Sequence, residues 1–144
     1  MTDAKSNYLE GGLVGLIFNG TTIANLAGAS TAPSTSLVLA LHTANPGETG
    51  TQNTNECAYT SYARLKTGRN SSEWTVTTAG VASPTTILSW PQATGGSETA
   101  THISISLSTA STTSILYYGA LNPNITISNG IIPQVTSSLT ISET

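Results

Sequence analysis

Residues 36–43 (SLVLALHT) form a nearly continuous apolar run, the pattern of a central strand buried on both faces. Further along, Ile103, Ile105 and Leu107 alternate strictly with Ser104, Ser106 and Ser108, which is the period of a strand. Shorter stretches read the same way: residues 60–67, 73–78, 86–90, 114–121, a segment around Ile125 and Ile127, and 135–141. Between them lie turn and loop signals: residues 45–56, rich in Gly, Thr and Asn; residues 92–100; and the Asn129-Gly130 pair. Only the first residues carry a helical period. Tyr8, Leu9, Leu13, Leu16 and Ile17 recur at spacings of three and four, with Ser6 or Asn7 placed to cap, Glu10 in the first turn and Asn19-Gly20 as the stop. The pattern predicts a helix over residues 3–18 and about eight strands over residues 36–144. The expected fold is all-β, a single jelly-roll-like β-sandwich with a short N-terminal helix, forming one domain over residues 1–144.

Composition narrows the function classes. Thr and Ser together supply 45 of the 144 residues, and only 8% of residues are charged, against roughly 25% in an average soluble protein. Thr suits strands, so this bias is strand composition. A net charge of −3 provides no basic field for nucleic acid or an anionic membrane. No apolar run reaches the length of a membrane-spanning helix, and the N-terminus lacks the pattern of a secretory signal, so synthesis in a cytoplasm is expected. Cys57 is the single cysteine, which leaves packing and sheet hydrogen bonds to hold the fold.

Candidate chemistry is sparse. Cys57 with His42 or His102 would make a thiol nucleophile and base only if the fold brought them together. The same three residues lack the closely spaced ligand pair typical of zinc sites. Glycan cleavage usually needs two carboxylates at a set separation. Asp3 is the sole aspartate, and most glutamates, among them Glu48, Glu56 and Glu98, lie in loop readings or at the ends. No catalytic residue, cofactor or metal is expected. Arg64, Lys66 and Arg69 are three of the four basic residues. Arg64 and Lys66 share a strand face, which could dock an acidic partner or simply face solvent. Strands such as HISISLS and SLTIS carry no charge, although exposed strand edges are usually guarded by Lys, Pro or inward charges. Such edges lose little hydration on contact and suit an assembly.

Four segments carry a family likeness: SNYLEGGLVGLIFNG; LVLALHTANPGETGTQNTNEC followed by YARL; ILSWPQAT leading to THISI; and LYYGALNPNITISNG with the closing SLTIS. In this order they resemble a family of small tailed-bacteriophage virion proteins, labelled tail fibre or capsid decoration (cement) proteins. The resemblance implies a non-enzymatic β-sandwich component of the virion. The first expectation is a cement protein on the capsid surface, bound to the major capsid protein and forming a homo-oligomer, a trimer above all. The alternative is a tail or tail-fibre component that binds host-surface glycans. Neither nucleic acid nor membrane is an expected partner. The candidate interface residues are Tyr8, Leu9, Leu13, Leu16 and Ile17 of the helix and the basic group Arg64, Lys66 and Arg69.

Overall fold

A computed structural model describes residues 6–22, 34–107 and 115–142. Along the chain run α1 (Asn7–Asn19), β1 (Ser36–His42), β2 (Leu65–Gly68), β3 (Trp74–Val76), β4 (Val81–Pro84), β5 (Leu88–Ser89), β6 (Ser97–Ser106), β7 (Tyr117–Ser128), β8 (Gln134–Val135) and β9 (Ile141–Ser142). Strands and one helix make this the all-β, sandwich-like class that the alternation predicts. The residues cluster into two compact units. One comprises Met1–Thr35, Gly68–Ile87 and Thr136–Thr144; the other comprises Ser36–Thr67 and Leu88–Val135.

The second unit is built on a four-stranded sheet in the order β2-β1-β6-β7. β1 lies inside it and pairs antiparallel with β6, from Val38 opposite Ser106 to His42 opposite His102. Every β1 residue after Ser36 is buried, which is why its apolar run is continuous. β6 is interior too, so Ser104 and Ser106 are as buried as Ile103 and Ile105. Its alternation therefore marks two covered faces, one apolar and one hydroxylated. β6 starts at Ser97, inside the stretch that the sequence suggested was a loop, and residues 97–100 pair with 125–128 of β7. The register then shifts between Ala100 and His102, leaving residues 121–124 of β7 without a one-to-one partner. Pro123 lies in that bulge, where a missing N–H costs no ladder bond. The two strands expected near 114–121 and 125–127 are thus one 12-residue strand. A two-stranded ribbon pairs Leu88 with Val135 and Ser89 with Gln134, and it is prolonged by the bonds from Trp90 N–H to Pro133 O and from Ala93 N–H to Ile131 O.

The first unit joins α1 to the sheet β3-β4-β9. β4, which the sequence did not announce, pairs antiparallel with both neighbours. Its four residues, Val-Ala-Ser-Pro, include just one β-branched side chain. Phe18 of α1 meets Trp74 of β3 with ring centroids 4.8 Å apart and planes tilted by 58°. Both are fully buried, as are Val14 and Ala82. The helical stripe reads differently in place. Val14 and Phe18, four residues apart, are the fully buried large side chains, whereas Leu13, Leu16 and Ile17 are half-buried. The side chains of Tyr8 and Leu9 lie outside the described residues, as do residues 3–5 of the expected helix.

The glycines of α1 explain the change. A Cβ on Gly11 would stand 2.9 Å from the Thr78 carbonyl oxygen, closer than carbon can approach. Gly80, at φ +71°, closes the 77–80 turn with a bond to Thr77 O, and a Cβ there would meet that of Glu10 at 2.7 Å. The helix gives up propensity, roughly 1 kcal/mol per glycine, and the turn comes against its backbone. At the other end Gly20 takes the left-handed cap conformation (φ 67°), and Thr21 N–H bonds Gly15 O. The Arg69 guanidinium then donates to the carbonyl oxygens of Leu16, Ile17 and Ser34. Its charge sits at the negative end of the helix dipole.

Candidate functional site

A group of buried and half-buried polar side chains lies in the second unit, where the 45–56 loop returns to the end of β1. Backbone bonds fasten it there: Thr43 N–H to Asn55 O, Cys57 N–H to Leu41 O, and an isolated bridge between His42 and Glu56. Glu56 accepts a two-pronged pair from Arg64, Nε to Oε1 at 2.6 Å and Nη2 to Oε2 at 2.7 Å. The Tyr62 hydroxyl donates to Oε1 as well (3.0 Å) and accepts from Leu41 N–H (3.1 Å). These bonds tie β1, the loop end and the approach to β2 into one network. Arg64 and Glu56 are 10% and 16% exposed, so the pair is shielded from most screening. The hydrogen bond to Glu56 fixes the Arg64 charge further, raising its pKa. Burial raises the Tyr62 phenol well above its ordinary range, and the Glu56 charge adds to this.

A second carboxylate, Glu98 on β6, accepts from the N–H groups of both Ala58 and Tyr59 at 2.9 and 2.8 Å. Between the two acids sits Cys57, 2% exposed, with its thiol pushed up to about 12 by burial and then by Glu98 and Glu56. The thiolate, the reactive form, is therefore suppressed. Tyr59 packs edge-on against Tyr62, with centroids 5.2 Å apart, and donates to Pro91 O. Gln52, fully buried in the loop, gives its amide N–H to Val38 O and anchors the loop's far side.

His42 is fully buried on β1. Its Nδ1–H donates to Thr54 O at 2.8 Å, which leaves Nε2 to accept from the Ser104 hydroxyl at 2.7 Å. Burial lowers its pKa below 6.5, outweighing the opposing Thr54 bond and Glu56 charge. The unfolded chain thus binds a proton near pH 6.5 that the folded chain refuses. Stability contributed by neutral His42 is complete above pH 6.5 and declines as pH falls toward the lowered value, by at most about 1.4 kcal/mol per pH unit. In urea titrations across pH 7.5 to 5, His42→Gln should flatten this acid limb; an equally steep limb in the variant would assign it to other groups.

The sequence candidates therefore fall into separate roles. His42 and Cys57 lie in one neighbourhood, His42 with partners on both ring nitrogens and the Cys57 thiol pushed up by burial, while His102 bonds Thr101. Among the described residues, no group of three or more His, Cys, Asp or Glu side chains is placed to hold a metal ion. The basic group divides too: Arg64 is committed to Glu56, Arg69 to the end of α1, and Lys66 is exposed on β2. Sequence reasoning missed the Glu56–Arg64 pair. The signal was the eight-residue spacing of opposite charges across a turn, in which Ser61 takes a positive φ of 79°.

What the second unit exposes is mostly uncharged. Among its described residues the large exposed apolar side chains are Leu107 and Leu116, just outside β6 and β7, Tyr118 near the start of β7, and Ile131 and Ile132 between β7 and β8. Against known proteins, the profile of the family described as "Podophage GP4 fiber I protein gp80" matches residues 4–142. No curated protein matches the chain.

Proposed function

The chain belongs to the podophage GP4 fiber I protein gp80 family and is a phage virion structural protein, and from that premise we propose that it is a non-enzymatic fibre subunit acting as a homo-oligomer. The observation that carries this reading is the family match across nearly the whole chain, since the family's description names a fibre. The site chemistry supports the non-enzymatic part. Glu56 is occupied by Arg64 and Tyr62, Glu98 by two backbone N–H groups, His42 by partners on both ring nitrogens, and the Cys57 thiol is held protonated. A general acid or nucleophile must be free to meet substrate, and these groups serve as braces instead. The capsid-cement reading is the second choice, favoured by the absence of any fibrous repeat in the sequence.

Labelling purified particles with an antibody to this chain tests both. The fibre reading expects label on projecting fibres, retained through a high-salt wash because uncharged contacts are weakly screened. Particles lacking the protein should then release DNA at the same temperature as complete ones. Label over the shell, with earlier heat release from particles lacking the protein, would replace the fibre with a cement, because ligands of the closed shell stabilise it by linkage. Label on neither structure would remove the virion assignment itself.

A further inference from the structure

Two Asn-Gly pairs occur in the chain, Asn19-Gly20 and Asn129-Gly130. Such a pair carries its own chemistry. The backbone nitrogen of the glycine, unobstructed by a side chain, can attack the carbonyl carbon of the asparagine side chain. At the end of α1 the side-chain oxygen of Asn19 is buried. At the turn after β7, Asn129 and Gly130 are both exposed, so the reacting carbon is accessible there.

Hydrogen bonds fasten that turn at every peptide the attack would have to move. Ile131 N–H donates to Ser128 O at 3.0 Å, with Gly130 at φ +89° in the third position of the turn. The 92–93 segment then holds Gly130 by both its N–H and its carbonyl. The N–H donates to Ala93 O at 2.7 Å, and the carbonyl oxygen accepts from Gln92 Nε2 at 2.8 Å. Ala93 N–H returns a bond to Ile131 O at 2.8 Å. Ala93 is 1% exposed, so the clamp is anchored in the core. The nitrogen bonded to Ala93 is the nucleophile itself. To attack, it must lose its proton and turn toward Asn129 Cγ, and a hydrogen bond made by the neutral N–H opposes both.

We propose that Asn129 is a self-modification site, deamidating to aspartate and isoaspartate, and that the Gln92–Ala93 clamp is its brake. Water is the only co-reactant. Gly130 N gives up its proton and bonds to Asn129 Cγ, the Cγ–Nδ2 bond breaks, and Nδ2 takes up a proton and leaves as ammonia. Water then adds to either carbonyl of the cyclic imide and opens it, with nothing oxidised or reduced. The product places a negative charge beside the exposed Ile131 and Ile132, and its isoaspartate form lengthens the backbone of the turn. The clamp couples this chemistry to the fold, because the pairing of 92–93 with 130–131 must open before the nitrogen is free. The inference is independent of the part of the virion in which the chain resides.

The test incubates the purified full chain in mildly alkaline buffer, maps its peptides by mass spectrometry and follows exchange of the Gly130 N–H by NMR. Deamidation at Asn129 should be slower by about tenfold or more in the folded chain than in the chain unfolded by guanidinium. Gln92→Ala removes an exposed bond, and should raise the Asn129 deamidation rate and the Gly130 exchange rate together, by about fivefold, at an unchanged melting temperature. If that variant fails to fold, the comparison of folded with unfolded wild type decides the matter. Equal rates in the two states would overturn the brake. So would a Gln92→Ala variant with both rates unchanged, or with faster exchange and no faster deamidation. Modification of the folded chain at Asn19 before Asn129 would overturn the site.

Discussion

Arg64→Ala should destabilise the fold by about 3 kcal/mol, read as a lower urea midpoint at unchanged slope. The loss comes less from the missing attraction than from what remains. Glu56 would keep its charge at 16% exposure with the Tyr62 hydroxyl as its surviving side-chain partner. Removing one member of a shielded pair leaves a charge that neither water nor protein solvates well. Two comparisons sharpen the test. Arg64→Lys keeps the charge and loses the fork, and should fall between wild type and alanine. The double variant Glu56→Gln with Arg64→Met should be less destabilised than Arg64→Ala, because no orphaned charge remains. If the losses of Glu56→Gln alone and Arg64→Met alone sum to that of the double variant, the two side chains act independently.

Trp74→Ala should cost about 3–5 kcal/mol, the range for deleting a large aromatic from a packed interior. Trp74 has no exposed surface, and Phe18 leans on it from α1. Its removal opens the joint between the helix and β3, where the backbone is already close at Gly11 and Gly80 and has little room to collapse inward. Far-UV circular dichroism during urea unfolding is the suitable readout, since the substitution removes one of two tryptophans. Trp74→Phe should recover most of the loss. A loss below about 1 kcal/mol for the alanine variant would place the joint's stability elsewhere.

Parts of this architecture can be read from the residues, and the physics says which. β1 stands out because an interior strand needs apolar side chains on both faces. The αL cap at Gly20 and the turn at Gly130 (φ +89°) show because only glycine takes those conformations cheaply. β4 and the start of β6 do not show. Val-Ala-Ser-Pro and Ser-Glu-Thr-Ala have little intrinsic strand character, and pairing recruits them: β4 with neighbouring β3 and distant β9, the start of β6 with the end of β7. The inward face of α1 does not follow from the leucine spacing. Glycines at 11 and 15 direct the helix, and Val14 and Phe18 fill what that leaves. The polar network is the hardest part. Glu56, Tyr62 and Arg64 are visible as letters within one segment, and the family likeness is strongest there. Yet nothing local says that an irregular turn through Ser61 will fold them onto one carboxylate.

The first compact unit takes its residues from three separated stretches, and its last strand, β9, pairs with β4 through Val81–Ser142 and Ala82–Ile141. On the ribosome this sheet stays a strand short until residues 141–142 have emerged. Between the two contributions to that sheet the ribosome must add β5 to β8, so the second unit's strands are all available before the first unit's sheet can close. Such interleaving raises the sequence separation of contacts, a feature that slows folding. It also means that neither unit can be cut out as a contiguous fragment: residues 1–87 would lack β9, and residues 36–135 would carry the Gly68–Ile87 segment without the helix it packs against.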